Sequence, residues 1–237
     1  MTKNIVGGHA GPDETRLNFG ALVDAIIIIA ILVAVKQFFL LYTIKYAGPI
    51  STFTAMAVAT WRLRSNGMTW AELGFKRPKN WWRTLALSAL VFGGIIVFGL
   101  LGNLIAELFF EKGYVADRFG DIEGDVLMYL VWMVLVWTHA AFFEEMLFRA
   151  FLINRLGAFL GGSTVATLVS VTLAAIFFGY RHAYYQGMFG FVVTGIIGFG
   201  LGLVYVWIGR TNLWPQILAH GYMNSLGFTM RFLGLRD

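Results

Sequence analysis

The stretch FFEEMLFR, residues 142–149, places two adjacent carboxylates and an arginine inside a long apolar run. A charged side chain at membrane depth costs several kcal/mol, and ionisable residues kept there usually serve a function. The alternative is a pair of acids solvated at the end of a membrane span, where charged residues also collect. The stretch therefore predicts a membrane helix that carries a polar site.

The composition favours the membrane interpretation. Hydrophobic residues make up 58% of the chain and charged residues 13%, with a mean hydropathy of +0.71, which lies far from the values of soluble domains. We predict an all-α, multi-pass transmembrane helix bundle of about seven to eight membrane helices, each needing ~20 apolar residues. Residues 1–237 are expected to form a single integral-membrane domain, with a core motif region at 126–230.

Seven apolar stretches are candidate spans, and their approximate limits are 22–44, 50–61, 85–110, 126–143, 165–178, 189–208 and 213–228. The second is short and rich in Thr and Ala, so we expect it to be tilted, re-entrant or shielded by neighbours. If the fourth ended at Phe143, Glu144 and His182 would lie on the order of 25 Å apart along the membrane normal. We therefore favour a continuous helix to about Leu156. Gly198 and Gly202 have the spacing that lets helix backbones approach closely.

The difference in charge between two loop segments predicts how the bundle is oriented in the membrane. Basic residues dominate Arg62–Arg83 and acidic residues dominate Glu111–Asp125, which predicts a cytoplasmic and an external segment respectively. The N-terminus is then cytoplasmic and the C-terminus external, in a cell-membrane protein whose first helix is retained as an anchor. The net charge of +5 follows this loop pattern and does not predict a nucleic-acid partner. Without cysteine, thiolate chemistry is excluded.

Helical spacing separates the two carboxylates. Glu145 and Arg149 are i,i+4 neighbours that can form an ion pair, while Glu144 is rotated by about 100° onto an adjacent face. A carboxylate left without a partner in the bundle interior is a candidate general base.

Three further polar residues interrupt apolar sequence. His220 and Asn224 are also i,i+4 neighbours, and two donors on one helix face suit a developing oxyanion. Taken alone, such a pair is more often a hydrogen-bonding contact between membrane helices. His182 alone is equally consistent with an interfacial histidine at the end of a span.

The ordered combination resembles the CPBP family of intramembrane proteases, which includes the type II CAAX prenyl endopeptidases. The resemblance runs from about Trp132 to Ser225. Its motifs are Glu-Glu-x-x-x-Arg at 144–149, Phe-x-x-x-His at 178–182 and His-x-x-x-Asn at 220–224. A weaker similarity lies in the Glu-Leu-Gly segment at 72–74.

The resemblance implies an intramembrane peptidase in which Glu144 and His182 activate a water molecule. His220 and Asn224 would stabilise the oxyanion, and Glu145 and Arg149 would support them. His139 matches no family motif and is interpreted as a structural or supporting residue. The implied partners are the lipid bilayer and a peptide or protein substrate of the lipidated or membrane-anchored kind.

Three alternatives stay open at this point. A metal held by Glu144, His182 and His220 is chemically possible, but these residues lack a compact ligand spacing, so we predict neither metal nor cofactor. A catalytically silent family member could serve as a membrane binding or scaffold subunit. A proton-coupled transporter could also use intramembrane carboxylates and histidines, but no duplicated halves are evident.

Overall fold

Six helices account for most of residues 18–113 and 118–235, the parts of the chain that the computed structural model describes. They are α1 (Phe19–Leu40), α2 (Ala47–Ser65), α3 (Trp81–Glu107), α4 (Val126–Phe159), α5 (Thr164–Trp207) and α6 (Trp214–Phe232). These residues contain no strand, so the all-α prediction is confirmed. The predicted count of seven to eight membrane helices is not confirmed. The expectation for the N-terminal segment falls on residues 1–17, outside the described ones.

Four of these helices, α1, α3, α4 and α5, are long and apolar enough to cross a membrane. Their large apolar side chains cover much of the outer surface, as Leu90, Leu127 and Val165 illustrate. Helix α2 is longer than the predicted span 50–61 and is not among the four. It buries small residues such as Ala55 and Ala59, which lets it lie close against its neighbours.

Helix α4 carries the FFEEMLFR stretch through the centre of the bundle. It begins where the Asp125 side chain accepts a hydrogen bond from the Met128 amide, 3.0 Å long, as N-cap residues do. Its first turns face outward, whereas every residue of Glu145–Leu152 is buried. The helix continues to Phe159. The predicted continuation beyond the carboxylates is therefore confirmed, and the span limit at Phe143 was too short.

Helix α5 is a hairpin of two antiparallel limbs, 164–186 and 188–207, which reverse direction at Gly187. Gly187 has φ 61° and ψ −164°, a left-handed conformation that only glycine adopts at little cost. A Cβ placed on Gly198 would lie 3.0 Å from Phe178, and one on Gly202 would lie 2.8 Å from Val171. The sequence predicted two separate spans at 165–178 and 189–208. The structure joins them, and the predicted close packing at Gly198 and Gly202 is confirmed.

The charged loops gather at two opposite ends of the bundle. At one end, the Leu213 amide donates to the Gly74 carbonyl over 3.1 Å. At the other, Lys45 pairs with Asp121, and the Gly124 amide donates to the Phe232 carbonyl over 3.0 Å. Because α6 begins just after Leu213 and ends at Phe232, the basic and acidic segments lie at different ends. Of the acidic segment, Asp117 falls outside the described residues.

The Glu-Leu-Gly segment before α3 is a docking turn. The Glu72 carboxylate accepts hydrogen bonds from the amide and hydroxyl of Thr69, which lower the pKa of Glu72. Gly74 has φ 90°, and a Cβ there would lie 2.7 Å from the Arg210 carbonyl. This glycine therefore lets the loop pack directly against the segment that leads into α6.

Candidate active site

Glu145 lies between two partners at the centre of the site. Its Oε1 is 3.2 Å from Arg149 Nη1 and 2.9 Å from His220 Nδ1. Glu145 and Arg149 are 0% and 1% exposed, so each compensates a charge that would be costly alone. The ion pair predicted from the i,i+4 spacing is present. The sequence did not predict the contact with His220.

Glu144 is also buried, but its surroundings differ. Its nearest ionisable neighbour is His139, whose Nε2 lies 3.8 Å from Glu144 Oε1. Within the described residues, this carboxylate makes no hydrogen bond. Within the described residues, the acid predicted to lack an ion-pair partner therefore has only this longer contact with His139.

A change of helix type brings His139 to Glu144. The segments Val136–Phe143 and Glu145–Leu152 are π-helical, with the wider turns that connect residue i to i+5. In a regular α-helix, residues five apart would point about 140° away from each other. The wider turn aligns the two side chains, which is why α-helical reasoning left His139 outside the site.

His182 sits on the first limb of α5, near the reversal at Gly187. Its Nδ1 is 2.8 Å from the Phe178 carbonyl, and its ring lies 4.6 Å from the Phe178 ring. Since a carbonyl only accepts, Nδ1 carries the proton in this contact and Nε2 presents a lone pair. The Phe178 ring also lies 6.3 Å from the His220 ring, but His182 and Glu144 are not directly hydrogen-bonded within the described chain.

His220 and Asn224 lie one turn apart on α6. This helix comes close to α4, because a Cβ on Gly221 would lie 2.6 Å from the Trp137 ring. Asn224 is half-buried, and its side chain makes no hydrogen bond to any part of the chain that the structure describes. His220 is thus fixed by Glu145, whereas Asn224 keeps its amide available.

The structure places two buried cations near these residues that sequence reasoning missed, Lys36 of α1 and Arg181 of α5. They are 2% and 6% exposed. Each is a single charge in an apolar run, which is itself the signal that could have identified it. No three His, Cys, Asp or Glu side chains are grouped for a metal ion in residues 18–113 and 118–235.

Comparison with known proteins identifies the segment that holds most of this site. Residues 126–226 match the family model described as "Type II CAAX prenyl endopeptidase Rce1-like". Over these residues, the chain is similar to that family. The predicted family resemblance is confirmed, and the match supports a membrane protease in general terms. No curated protein and no solved structure matches the chain.

The matched segment begins with the first residue of α4 and ends within α6. It includes Glu144, His182, His220 and Asn224. It also includes His139 and Arg181. Lys36 lies outside it, so the match carries no information about that residue.

Proposed function

We propose that this protein is an intramembrane peptidase that hydrolyses a peptide bond near or within the membrane. The observation that carries the proposal is the state of Glu144: a buried carboxylate without a hydrogen-bond partner in the described residues, 3.8 Å from His139. A buried polar group left unsatisfied costs free energy. Such a group is retained where it acts on a ligand.

In the proposed reaction, Glu144 and the lone pair on His182 Nε2 accept the two protons of one water molecule. Its oxygen then faces the substrate carbonyl carbon. Glu144 takes a proton as the water oxygen bonds to that carbon, and the carbonyl becomes an oxyanion. When the carbon–nitrogen bond breaks, the proton held by Glu144 passes to the leaving amine. General base catalysis of this kind typically contributes about 10²–10⁴-fold.

His220 and Asn224 are the proposed oxyanion donors. His220 Nδ1 donates to the Glu145 carboxylate, so its Nε2 can donate to the oxyanion only in the imidazolium form. The same contact with Glu145 fixes the orientation of the ring. The proposed role of Glu145 therefore extends from neutralising Arg149 to supporting His220.

His139 has a proposed positioning role. At 3.8 Å from Glu144, it lies just beyond direct hydrogen-bond distance, and its ring is buried against the same π-helical turns. It restricts where the Glu144 carboxylate can move. A carboxylate held in place reacts with a water molecule at a lower cost in entropy.

The proposed substrate reaches this site from the bilayer. A peptide or protein that is lipidated or membrane-anchored would place its cleavage site at the right depth, consistent with the matched family. We propose that Arg62–Arg83 faces the cytoplasm, so that the N-terminus is cytoplasmic, because basic loops are retained on that side.

Comparative proteomics of membranes from wild-type and Glu144→Gln cells tests the proposed function. Uncleaved precursors should accumulate in the Glu144→Gln cells and shorter products should disappear. Glu111→Gln, an exposed glutamate outside the matched segment, is the matched control and should give the wild-type pattern. A folded Glu144→Gln protein that leaves every peptide unchanged would favour a silent scaffold instead.

A further inference from the structure

A cleft of about 540 Å³ opens at the basic end of the bundle. Its walls come from the segment before α3, the first turns of α3, the end of α5 and the turn that leads into α6. The volume lies within the range of about 300–1,000 Å³ that is typical of small-molecule sites. Four of the lining residues are basic, namely Lys76, Arg77, Lys79 and Arg83. We call these four residues and the space between them the basic cleft.

The charges of the basic cleft are not neutralised by the fold. All four residues are exposed. Among the described residues, none of them lies within 4.0 Å of a carboxylate, and none of their side chains makes a hydrogen bond. The one acid of the segment Arg62–Arg83 is Glu72, whose carboxylate accepts hydrogen bonds from Thr69 instead. The cleft therefore presents four positive charges to whatever enters it.

The start of α3 adds to this positive potential. This helix has 27 residues, and its first turn contains no acidic residue. The N-terminus of a helix carries a partial positive charge that favours anions and disfavours cations. The first turn nevertheless contains Arg83, whose amide donates to the Asn80 side chain over 3.0 Å. An anion in the cleft would be attracted by the helix start and by the basic side chains together.

Contacts between distant segments hold the walls of the basic cleft in place. The Trp214 indole donates to the Lys76 carbonyl over 3.1 Å. The Asn212 amide donates to the hydroxyl of Thr84 over 3.0 Å, and the rings of Trp81 and Trp214 lie 5.6 Å apart. The backbone of the basic segment is thereby fixed against α3 and α6. The four charges consequently surround one space instead of following a free loop.

Exposed tryptophans place the basic cleft at the membrane surface. Trp207 lines the cleft and is 69% exposed, and Trp82 at the start of α3 is 82% exposed. Tryptophan side chains collect at the level of the lipid headgroups. The anionic groups that the bilayer supplies at this depth are the phosphates of its headgroups.

We propose that the basic cleft binds the headgroup phosphate of an anionic phospholipid. Lysine and arginine donate charge-assisted hydrogen bonds to phosphate oxygens, and basic pockets at the membrane surface recognise anionic headgroups. The site does not depend on the proposed peptidase reaction, because none of the proposed catalytic residues lines it. A lipid bound there contacts α3, the end of α5 and the turn before α6, so it also stabilises the packing of these helices.

The test measures lipid binding to the whole chain in a neutral detergent by native mass spectrometry. Wild-type protein should bind phosphatidylglycerol more tightly than phosphatidylcholine, which has the same phosphate but no net charge. Lys79→Gln and Arg83→Gln should each raise the Kd for phosphatidylglycerol about fivefold, the contribution of one basic residue at an anionic membrane surface. Inorganic phosphate added as a competitor should leave the lipid bound.

The matched control is Arg64→Gln. Arg64 is an exposed arginine in the last turn of α2, within the same basic segment but outside the cleft, and its variant should keep the wild-type Kd. Thermal unfolding without lipid checks that the variants are folded. Equal binding of the two lipids, or an equal loss for Arg64→Gln and Arg83→Gln, would overturn the inference. Displacement of the lipid by inorganic phosphate would also overturn it, because the cleft would then be a site for soluble phosphate.

Discussion

Asp24 and Glu144 are both carboxylates buried in this helix bundle, yet their surroundings are opposite. Asp24, at the basic end, accepts hydrogen bonds from Arg62 over 2.6 Å and from Asn66 over 2.8 Å. Arg155 lies a further 3.8 Å from it. Glu144 has His139 at 3.8 Å and no hydrogen bond within the described residues. Both carboxylates are therefore buried, but they differ greatly in the hydrogen bonds and ion pairs that they make.

The difference separates a structural acid from a reactive one. Both oxygens of Asp24 are used in joining α1 to α2, so its charge is neutralised within the fold. Glu144 remains available to an incoming molecule because the fold gives it no such partners. The comparison predicts that changes near Asp24 affect folding and that changes near Glu144 affect turnover.

The largest effect on turnover should come from His182→Ala. We expect peptidase activity to fall about 10²–10⁴-fold, since the variant removes the acceptor that orients the attacking water. The folded yield should stay close to wild type, because the ring makes only one polar contact. The amount of folded protein is measured by size-exclusion chromatography. Cleavage rates divided by that amount check this expectation. A rate within threefold of wild type would place His182 with the structural residues.

Asn224→Ala should have the next largest effect. Loss of one oxyanion donor lowers kcat about 10²–10³-fold and leaves KM nearly unchanged. His220→Ala should behave similarly, and the double variant should lose less than the product of the two, because both donors serve one charge. Steady-state kinetics distinguish the possibilities. A raised KM with preserved kcat would mean that the pair binds the ground state of the substrate.

The pair Glu145 and Arg149 should behave like Asp24. Arg149→Ala leaves a buried carboxylate uncompensated, at a cost of about 3–5 kcal/mol, and Glu145→Ala has the converse effect. Thermal unfolding in detergent should show the loss. The double variant Glu145→Gln with Arg149→Met is the control and should regain much of the stability. Full stability of both single variants would show that the ion pair is dispensable for folding.

The membrane orientation of the two charged loops can be tested with single-cysteine variants, which are not expected to change activity. In otherwise cysteine-free protein, an impermeant thiol reagent applied to intact cells should label Glu111→Cys and spare Arg77→Cys. Both positions are exposed and lie at opposite ends of the bundle. The reverse labelling pattern would place the basic end, and Asp24 with it, outside the cell.

Local spacing predicted one ion pair of the site and the extent of the helix that carries it. The Glu145 and Arg149 pair followed from i,i+4 spacing, and the continuation of α4 followed from apolar residues after Arg149. His139 could not be predicted in this way, because the π-helical turns that bring it to Glu144 leave no mark in α-helical periodicity.

Residue spacing along a helix could not predict contacts between helices that are distant in sequence. The partners of Asp24 come from α2 and α4, and Lys36 meets Arg181 across 145 residues of sequence. Only the presence of single charges in apolar runs indicated that such residues needed partners. The two predicted spans at 165–178 and 189–208 implied a reversal between them, but spacing did not identify Gly187 as its position.

The most direct test of this account measures cleavage per folded molecule for Glu144→Gln and Asp24→Asn in parallel. Each substitution neutralises one buried carboxylate with little change in shape. We expect Glu144→Gln to fold normally and to lose at least about 100-fold in rate, as for a missing general base. Asp24→Asn should yield less folded protein, and each folded molecule should retain the wild-type rate. Wild-type cleavage by folded Glu144→Gln protein would contradict the account.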